Sequence, residues 1–230
     1  IYISMNTIVM KFGGTSVAGA EKIRNIADIV IREVKNNKVI VVLSAMAGET
    51  NKLQSHLDDF ASQYSLESDL VLTSGEQVTI GLLSAELKNK GIKSIPLLGW
   101  QIPIITDDSH EKAKILHIDN KRIEKFFEKN DVIVLAGFQG ISLDGEITSL
   151  GRGGSDTTAV AIASSVDAKR CDIYTDVDGV YTTDPNIDQN AKKISKMSYE
   201  EMLEMASTGS KVLHTRSVEL AMKNNLTLQV

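Results

Sequence analysis

Residues 8–17 read IVMKFGGTSV, and the order of the parts in this stretch decides the fold. A β-branched run, Ile8-Val9, leads into Lys11, then Gly13-Gly14, then Thr15-Ser16. A Walker A loop has similar ingredients in another order, with its lysine after the glycines at the start of a helix. Here the lysine comes first, on the last turn of a strand. Ligands in open α/β sheets collect at the carboxyl ends of the strands, so a lysine there projects its charge into the ligand crevice. Gly13 and Gly14 would let the backbone approach an anion closely. A helix after Ser16 would add N–H groups and a positive dipole end. The same residues also suit a tight strand–helix turn with a solvated lysine, and the stretch alone leaves both readings open.

Working outward, short β-branched runs alternate with stretches of helical period. The runs fall at residues 8–12, 39–43, 94–98, 132–136, 171–176 and 226–230. Between the first two, Ile23, Ile26, Ala27, Val30 and Val34 make one apolar stripe on a helix. A second helix is expected over about 76–89, closed by Gly91. A third, over about 120–129, turns Ile123, Phe126 and Phe127 inward. Asp144-Gly145 signals a hairpin, and Ser198-Tyr199-Glu200-Glu201 is a capping box. Residues 44–68 are polar and irregular, as a mobile loop or lid would be. Strands that are apolar throughout, alternating with helices, imply a parallel sheet covered on both faces. The expected fold class is therefore α/β, a three-layer α/β/α sandwich with a mainly parallel central sheet. It should form one unit of two lobes, about 1–149 and about 150–230.

Composition narrows the function. The chain is 42% hydrophobic and 24% charged over 230 residues, enough for a sizeable core. A formal net charge of −5 argues against nucleic-acid binding, which leaves a basic footprint. The single cysteine, Cys171, excludes an internal disulfide framework and fits a reducing compartment. With no apolar run near the roughly 18 residues of a membrane span and no signal-peptide pattern, the expected address is the cytoplasm, with no membrane partner. His56, His110, His117 and His214 lack metal-ligand spacing and read as surface or structural. Met197, Met202 and Met205 read as helix packing.

Two further stretches carry chemistry. In residues 150–163, LGRGGSDTTAVAIA, three glycines surround Arg152, and Ser155-Asp156 opens a helix. An anion nest holding a guanidinium suits bidentate binding of carboxylate or phosphate. A glycine turn with an Asp cap is the plainer account, but a cap needs neither three glycines nor an arginine. Residues 174–185, YTDVDGVYTTDP, end a strand in an Asp-rich turn. Taken alone, that stretch is better read as a turn.

Two glycine-rich anion sites at separate strand ends exceed what a generic α/β domain requires. Together the motifs resemble the aspartate kinases of the amino acid kinase family. The matching stretches are KFGGTSV at 11–17, residues 44–51, Ser74-Gly75-Glu76, Gly99-Trp100-Gln101, ITDDSH at 105–110, GRGGSDTTA at 151–159, TDVDGVYTTDP at 175–185 and GSKVLH at 209–214. They span almost the whole chain in the family's order. Acetylglutamate kinases carry a tyrosine in the opening loop and uridylate kinases a differently composed one, so the Phe-Gly-Gly-Thr-Ser form points to aspartate.

The resemblance implies transfer of the ATP γ-phosphoryl group to the β-carboxylate of L-aspartate, giving 4-phospho-L-aspartate and ADP, the first step of lysine, threonine and methionine biosynthesis. A carboxylate is already a nucleophile at neutral pH, so no general base is required. By resemblance Lys11 and Asp156 are the catalytic pair, and Thr50, Glu76, Arg152 and Ser155 bind the substrate. Gly13, Gly14, Ser16, Thr175, Asp176, Tyr181 and Lys211 bind the nucleotide. Read without the family, Glu76 is better taken as a first-turn helix glutamate favoured by the dipole. Mg²⁺ would accompany ATP, held mainly by phosphates and water, with no protein metal ligand assigned. The resemblance also implies ACT regulatory domains beyond Val230 and a homo-oligomer in the full-length protein. Asn186 stands where many relatives place an arginine near the nucleotide, a departure that bears on one phosphate or ribose contact, and Thr215 stands where a proline is common, a departure that changes only a helix start. A sister kinase acting on another carboxylate or phosphate, or a non-catalytic sensor, are the alternative readings.

Overall fold

In the computed structural model, which describes residues 5–60, 65–183, 187–208 and 212–230, the opening stretch forms strand β1 (Asn6–Phe12) and the turn after it. The chain continues through α1 (Ala20–Val34), β2 (Asn37–Leu43), α2 (Glu49–Asp58), α3 (Leu66–Leu72), α4 (Ser74–Asn89), β3 (Ser94–Leu97), β4 (Ile104–Thr106) and β5 (Ile115–Ile118). Then follow α5 (Asn120–Phe127), β6 (Val132–Ala136), β7 (Gln139–Ile141), β8 (Ile147–Ser149), α6 (Gly154–Ser165), β9 (Arg170–Tyr174), α7 (Tyr199–Ser207), α8 (Thr215–Lys223) and β10 (Leu228–Gln229).

Six strands form one sheet in the order β10-β9-β1-β2-β6-β3, with every pairing parallel. β1 is therefore a central strand, flanked by β2 on one side and by β9 on the other. Successive side chains on a strand point to opposite faces, and both faces here are covered. Ile8, Met10 and Phe12 join Val39, Val41 and Leu43 against Ile23, Ile26 and Val30 of α1 and Ile80, Leu83 and Leu87 of α4. Val9, Ile40, Val42, Ile133 and Ile173 face the other way, onto Ala159, Val160 and Ala163 of α6 and Val218 and Ala221 of α8. That double burial is why the strands are apolar throughout and not alternating. It also sets the face of Lys11, which shares the parity of Val9 and so points toward α6.

Several local expectations hold. Gly91 follows α4 at φ +81°, and the N–H of Ile92 closes back on Leu87 at 3.0 Å. Ser198 and Glu201 form the reciprocal capping box of α7. β7 and β8 pair antiparallel across the Asp144-Gly145 turn, with Gly145 at φ +85°.

Others are corrected. The described part of residues 44–68 is largely helical: α2 occupies Glu49–Asp58 as a surface helix whose one buried residue is Leu57, so its polarity reflects exposure, and α3 begins at Leu66. The strand expected over 171–176 ends at Tyr174, which puts Thr175 and Asp176 past the sheet. The one expected over 226–230 shrinks to Leu228–Gln229. A second, four-stranded sheet in the order β5-β4-β7-β8 was not anticipated beyond its hairpin. β4 and β5 are too short to declare a period. No described helix is long and apolar enough to cross a membrane.

Candidate active site

The carboxyl ends of β1, β2 and β9 lie side by side, in register through Phe12, Leu43 and Tyr174. Lys11, one residue before the end of β1, reaches across to α6, where its Nζ lies 2.7 Å from Asp156 Oδ1. Both side chains are about nine-tenths buried. Asp156 sits inside the first turn of α6 and does not cap it. The cap position is Gly153 at φ +73°, with no side-chain cap bond. The carboxylate is thus committed to the lysine, and the plain capping account of this Asp fails.

This pair forms one wall of a cleft of about 340 Å³ that also draws in Gly14, Thr50, Glu76, Arg152 and Ser155. Glu76, in the first turn of α4, is only 3% exposed. Its Oε1 accepts from the N–H of Ala45 at 3.0 Å, while Oε2 is buried with no partner among the described residues. Burial pushes its pKa up from 4.5 to about 7, against the lowering effect of the Ala45 N–H. Arg152 stands on the turn between β8 and α6, flanked by Gly151 and Gly153 at φ +72° and +73°. It is exposed and enters no ion pair among the described residues. The cleft therefore presents a cation held by an internal counterion, a free guanidinium and a buried carboxylate with a vacant oxygen. Such a set can hold a molecule bearing both ammonium and carboxylate groups beside a phosphoryl group.

The opening loop departs from the sequence reading. Gly14 is required by close approach: a Cβ there would stand 2.8 Å from the Ala45 carbonyl oxygen, and its own carbonyl accepts from Ala47 N–H at 3.1 Å. The N–H of Gly13, however, already donates to Tyr174 O at 3.2 Å, and that of Ser16 to Gly13 O at 2.9 Å. Neither residue lines the cleft beside Lys11. Nor does a helix begin at Ser16. α1 starts at Ala20 and packs on the opposite face of the sheet from Lys11, so the helix N-termini that line the cleft are those of α2, α4 and α6.

On the far side of β9, Thr175 lines a smaller hollow of about 240 Å³ with Asp172, Tyr174 and Asp178. Its hydroxyl donates to Asp176 at 3.1 Å. Tyr181 donates from its hydroxyl to Asp178 at 2.8 Å. These residues are separate from the Lys11 cleft; the Gly13–Tyr174 hydrogen bond and the stacked rings of Phe12 and Tyr174, 4.4 Å apart, tie β9 to β1 between the two. Lys211 and Asn186 lie outside the described residues. His214, read from the sequence as surface or structural, instead lines the cleft, with its ring against Gly153. Ser44, Met46 and Phe138 line it as well. Apolar or backbone contributors of this kind carry no composition signal. Cys171 is buried in β9, and burial pushes its thiol well up, as befits a packing residue.

The model of the amino acid kinase family matches residues 6–230. The chain belongs to the amino acid kinase family. An aspartokinase of Rickettsia felis is 49% identical over 98% of this chain and 58% of its own length. Aspartate kinase from Synechocystis superposes with a TM-score of 0.84 at 40% identity, covering 98% of this chain and 37% of that one. E. coli aspartokinase III, solved in complex with aspartate and ADP, gives a TM-score of 0.87 at 26% identity, over 96% of this chain and 61% of that one. The amino acid kinase fold expected from the sequence is the one found. The chain spans about 58% of the length of the curated relative it matches.

Proposed function

We propose that this chain catalyses ATP-dependent phosphorylation of the β-carboxylate of L-aspartate. One observation carries the reading: Lys11, Arg152 and the buried, half-vacant carboxylate of Glu76 open into one cleft. An amino-dicarboxylate needs an anion for its ammonium and a cation for its α-carboxylate, and Glu76 and Arg152 supply them. Relatives at 49% identity are aspartokinases, and one solved relative binds aspartate and ADP; both support aspartate over other acceptors.

In the proposed reaction a β-carboxylate oxygen of aspartate attacks the γ-phosphorus. The bond from that phosphorus to the β,γ-bridging oxygen breaks, and ADP leaves with the electron pair. Lys11 neutralises charge on the transferring group, which is the main demand of phosphoryl transfer. Asp156 holds the lysine. Thr50 and Ser155 add hydrogen bonds to the acceptor, while Gly13, Gly14 and Ser16 shape the phosphate side. Thr175, Asp176 and Tyr181 hold the nucleoside end, with Lys211 as a second cation. Mg²⁺ would neutralise phosphate charge when bound. Its ligands would be mainly phosphate oxygens and water.

We further propose the division at about residue 150 into an acceptor-side and a nucleotide-side lobe, with the cleft where they meet. Cytoplasmic residence, ACT regulatory domains in the longer protein and assembly as a homo-oligomer belong to the same proposal. The test is ADP release that depends on L-aspartate, with the acyl phosphate trapped by hydroxylamine. Folded full-length protein that phosphorylates acetylglutamate or UMP but not aspartate would overturn it.

A further inference from the structure

A buried carboxylate outside the cleft ties together the segments that present Arg152. Asp69, in the middle of α3, is fully buried. Its Oδ1 accepts from the hydroxyl of Ser149 at 2.5 Å and from the N–H of Glu111 at 3.0 Å. Its Oδ2 lies 2.8 Å from Nδ1 of His110, whose Nε2 faces Glu146 at 3.4 Å. Burial opposes the charged imidazole, but hydrogen bonds and charge from Asp69, then Glu146, hold the His110 pKa above its ordinary value. Asp69 thus clamps the end of β8 to the loop at residues 107–112.

Both clamped segments bear on the arginine. Ser149 is three residues before Arg152, and its carbonyl accepts from Ala113 N–H at 2.9 Å. Glu111, held at φ +65°, presents its carbonyl to Gly151 so closely that a Cβ there would stand 2.8 Å away. From the opposite side, Arg216 of α8 donates to the carbonyls of Leu150 at 2.7 Å and Ala113 at 3.4 Å. The turn that carries Arg152 is therefore fixed at its base by charged groups on two different helices, while the Arg152 side chain itself is exposed.

We propose that Asp69 is a positioning residue for Arg152, acting through Ser149 and the backbone of Glu111 to set where the guanidinium meets the acceptor's carboxylate. This rests on the aspartate reading above. An arginine that binds by bidentate geometry loses affinity when its base shifts, even with its charge intact.

The test is steady-state kinetics of Asp69→Asn in the full chain, alone and combined with Arg152→Ala. The substitution keeps the shape of the side chain but turns one acceptor oxygen into a donor facing donors. The aspartate KM should rise about tenfold, with the ATP KM and kcat changed less than about twofold. In the Arg152→Ala background, Asp69→Asn should add nothing further to the aspartate KM. Should Asp69→Asn fail to fold, Ser149→Ala removes one of the same hydrogen bonds and should raise the aspartate KM about threefold. Equal rises in both KM values, an undiminished effect in the Arg152→Ala background, or an unchanged aspartate KM in the folded variant would each overturn the inference. Wild-type protein without aspartate-dependent turnover would instead overturn the functional reading on which it stands.

Discussion

The two sides of the candidate site are built differently. Around Lys11 most of the charged groups are buried: Lys11 and Asp156 pair and are about nine-tenths covered, Glu76 is 3% exposed, and only Arg152 of the four stands exposed. Beyond β9, on the proposed nucleotide side, Asp176 and Asp178 stand exposed in the bend after the strand, with Asp178 bonded to Tyr181 and to Lys193. Groups that must stabilise a transition state benefit from a site that needs no reorganisation at the moment of reaction. Groups that bind a large ligand can be ordered by it. The difference predicts that substitutions in the buried Lys11–Asp156 pair and at Glu76 change function and stability together, and that those at the exposed groups, Arg152 and the proposed nucleotide side, change affinity alone.

The largest expected effect is at Lys11. Lys11→Met should lower kcat on the order of 10³-fold, and by stranding Asp156 it should also cost about 3 kcal/mol of stability. Adding Asp156→Asn should return much of the stability, read by denaturant melts, without returning turnover. Recovery of both would mean that the lysine's role is structural. Next is Arg152→Ala, expected to raise the aspartate KM on the order of 10²-fold with little change in Tm, because the guanidinium is exposed and enters no ion pair among the described residues. A matching rise in the ATP KM would move Arg152 to the phosphates.

Glu76 gives the pH signature. Its folded pKa of about 7 lies above its ordinary 4.5, so between those values the folded state keeps a proton that the unfolded chain has released. Stability contributed by this group is full below about pH 4.5 and is lost as pH rises through about 7, a change of about 3 kcal/mol. Glu76→Gln should abolish that slope in melts without ligand. Because an ammonium group stabilises the ionised form, the Tm gain from aspartate should be larger at pH 8 than at pH 6; the reverse would remove Glu76 from the ammonium site. The smallest effect is expected at Tyr181. Tyr181→Phe loses one exposed hydrogen bond and should raise the ATP KM about threefold, with the aspartate KM unchanged. A drop in kcat there would erase the contrast between the two sides.

Legibility in the sequence follows the same contrast. The central strands and α1 were readable because burial on both faces leaves long apolar runs and one clean stripe. The Lys11–Asp156 pair was suggested by resemblance, and the parity of Lys11 with Val9 explains why strand and helix meet there. The second sheet could not be read, since three-residue strands such as β4 carry no period. His214 was misjudged because a lone histidine after an apolar pair looks like any surface residue until the fold brings it against Gly153. The N–H groups of Gly13 and Ser16 looked free because a sequence shows donors and not the backbone acceptors they meet. Asp69 gave no signal at all, as one acidic residue in a polar segment.

The place of β1 in the sheet has a consequence for biosynthesis. Its partner on one side, β2, follows within a few dozen residues, but its partner on the other, β9, is not made until residues 170–174. While the chain is still being synthesised, β1 therefore offers an open edge of apolar residues, the kind of surface on which strands from other chains can pair. Nascent chains held short of β9 should be the species that chaperones capture. Arresting translation before and after that strand, and comparing chaperone crosslinks, would show whether closing this edge is the step that releases the protein. Equal crosslinking on both sides of the arrest would remove β9 from that role.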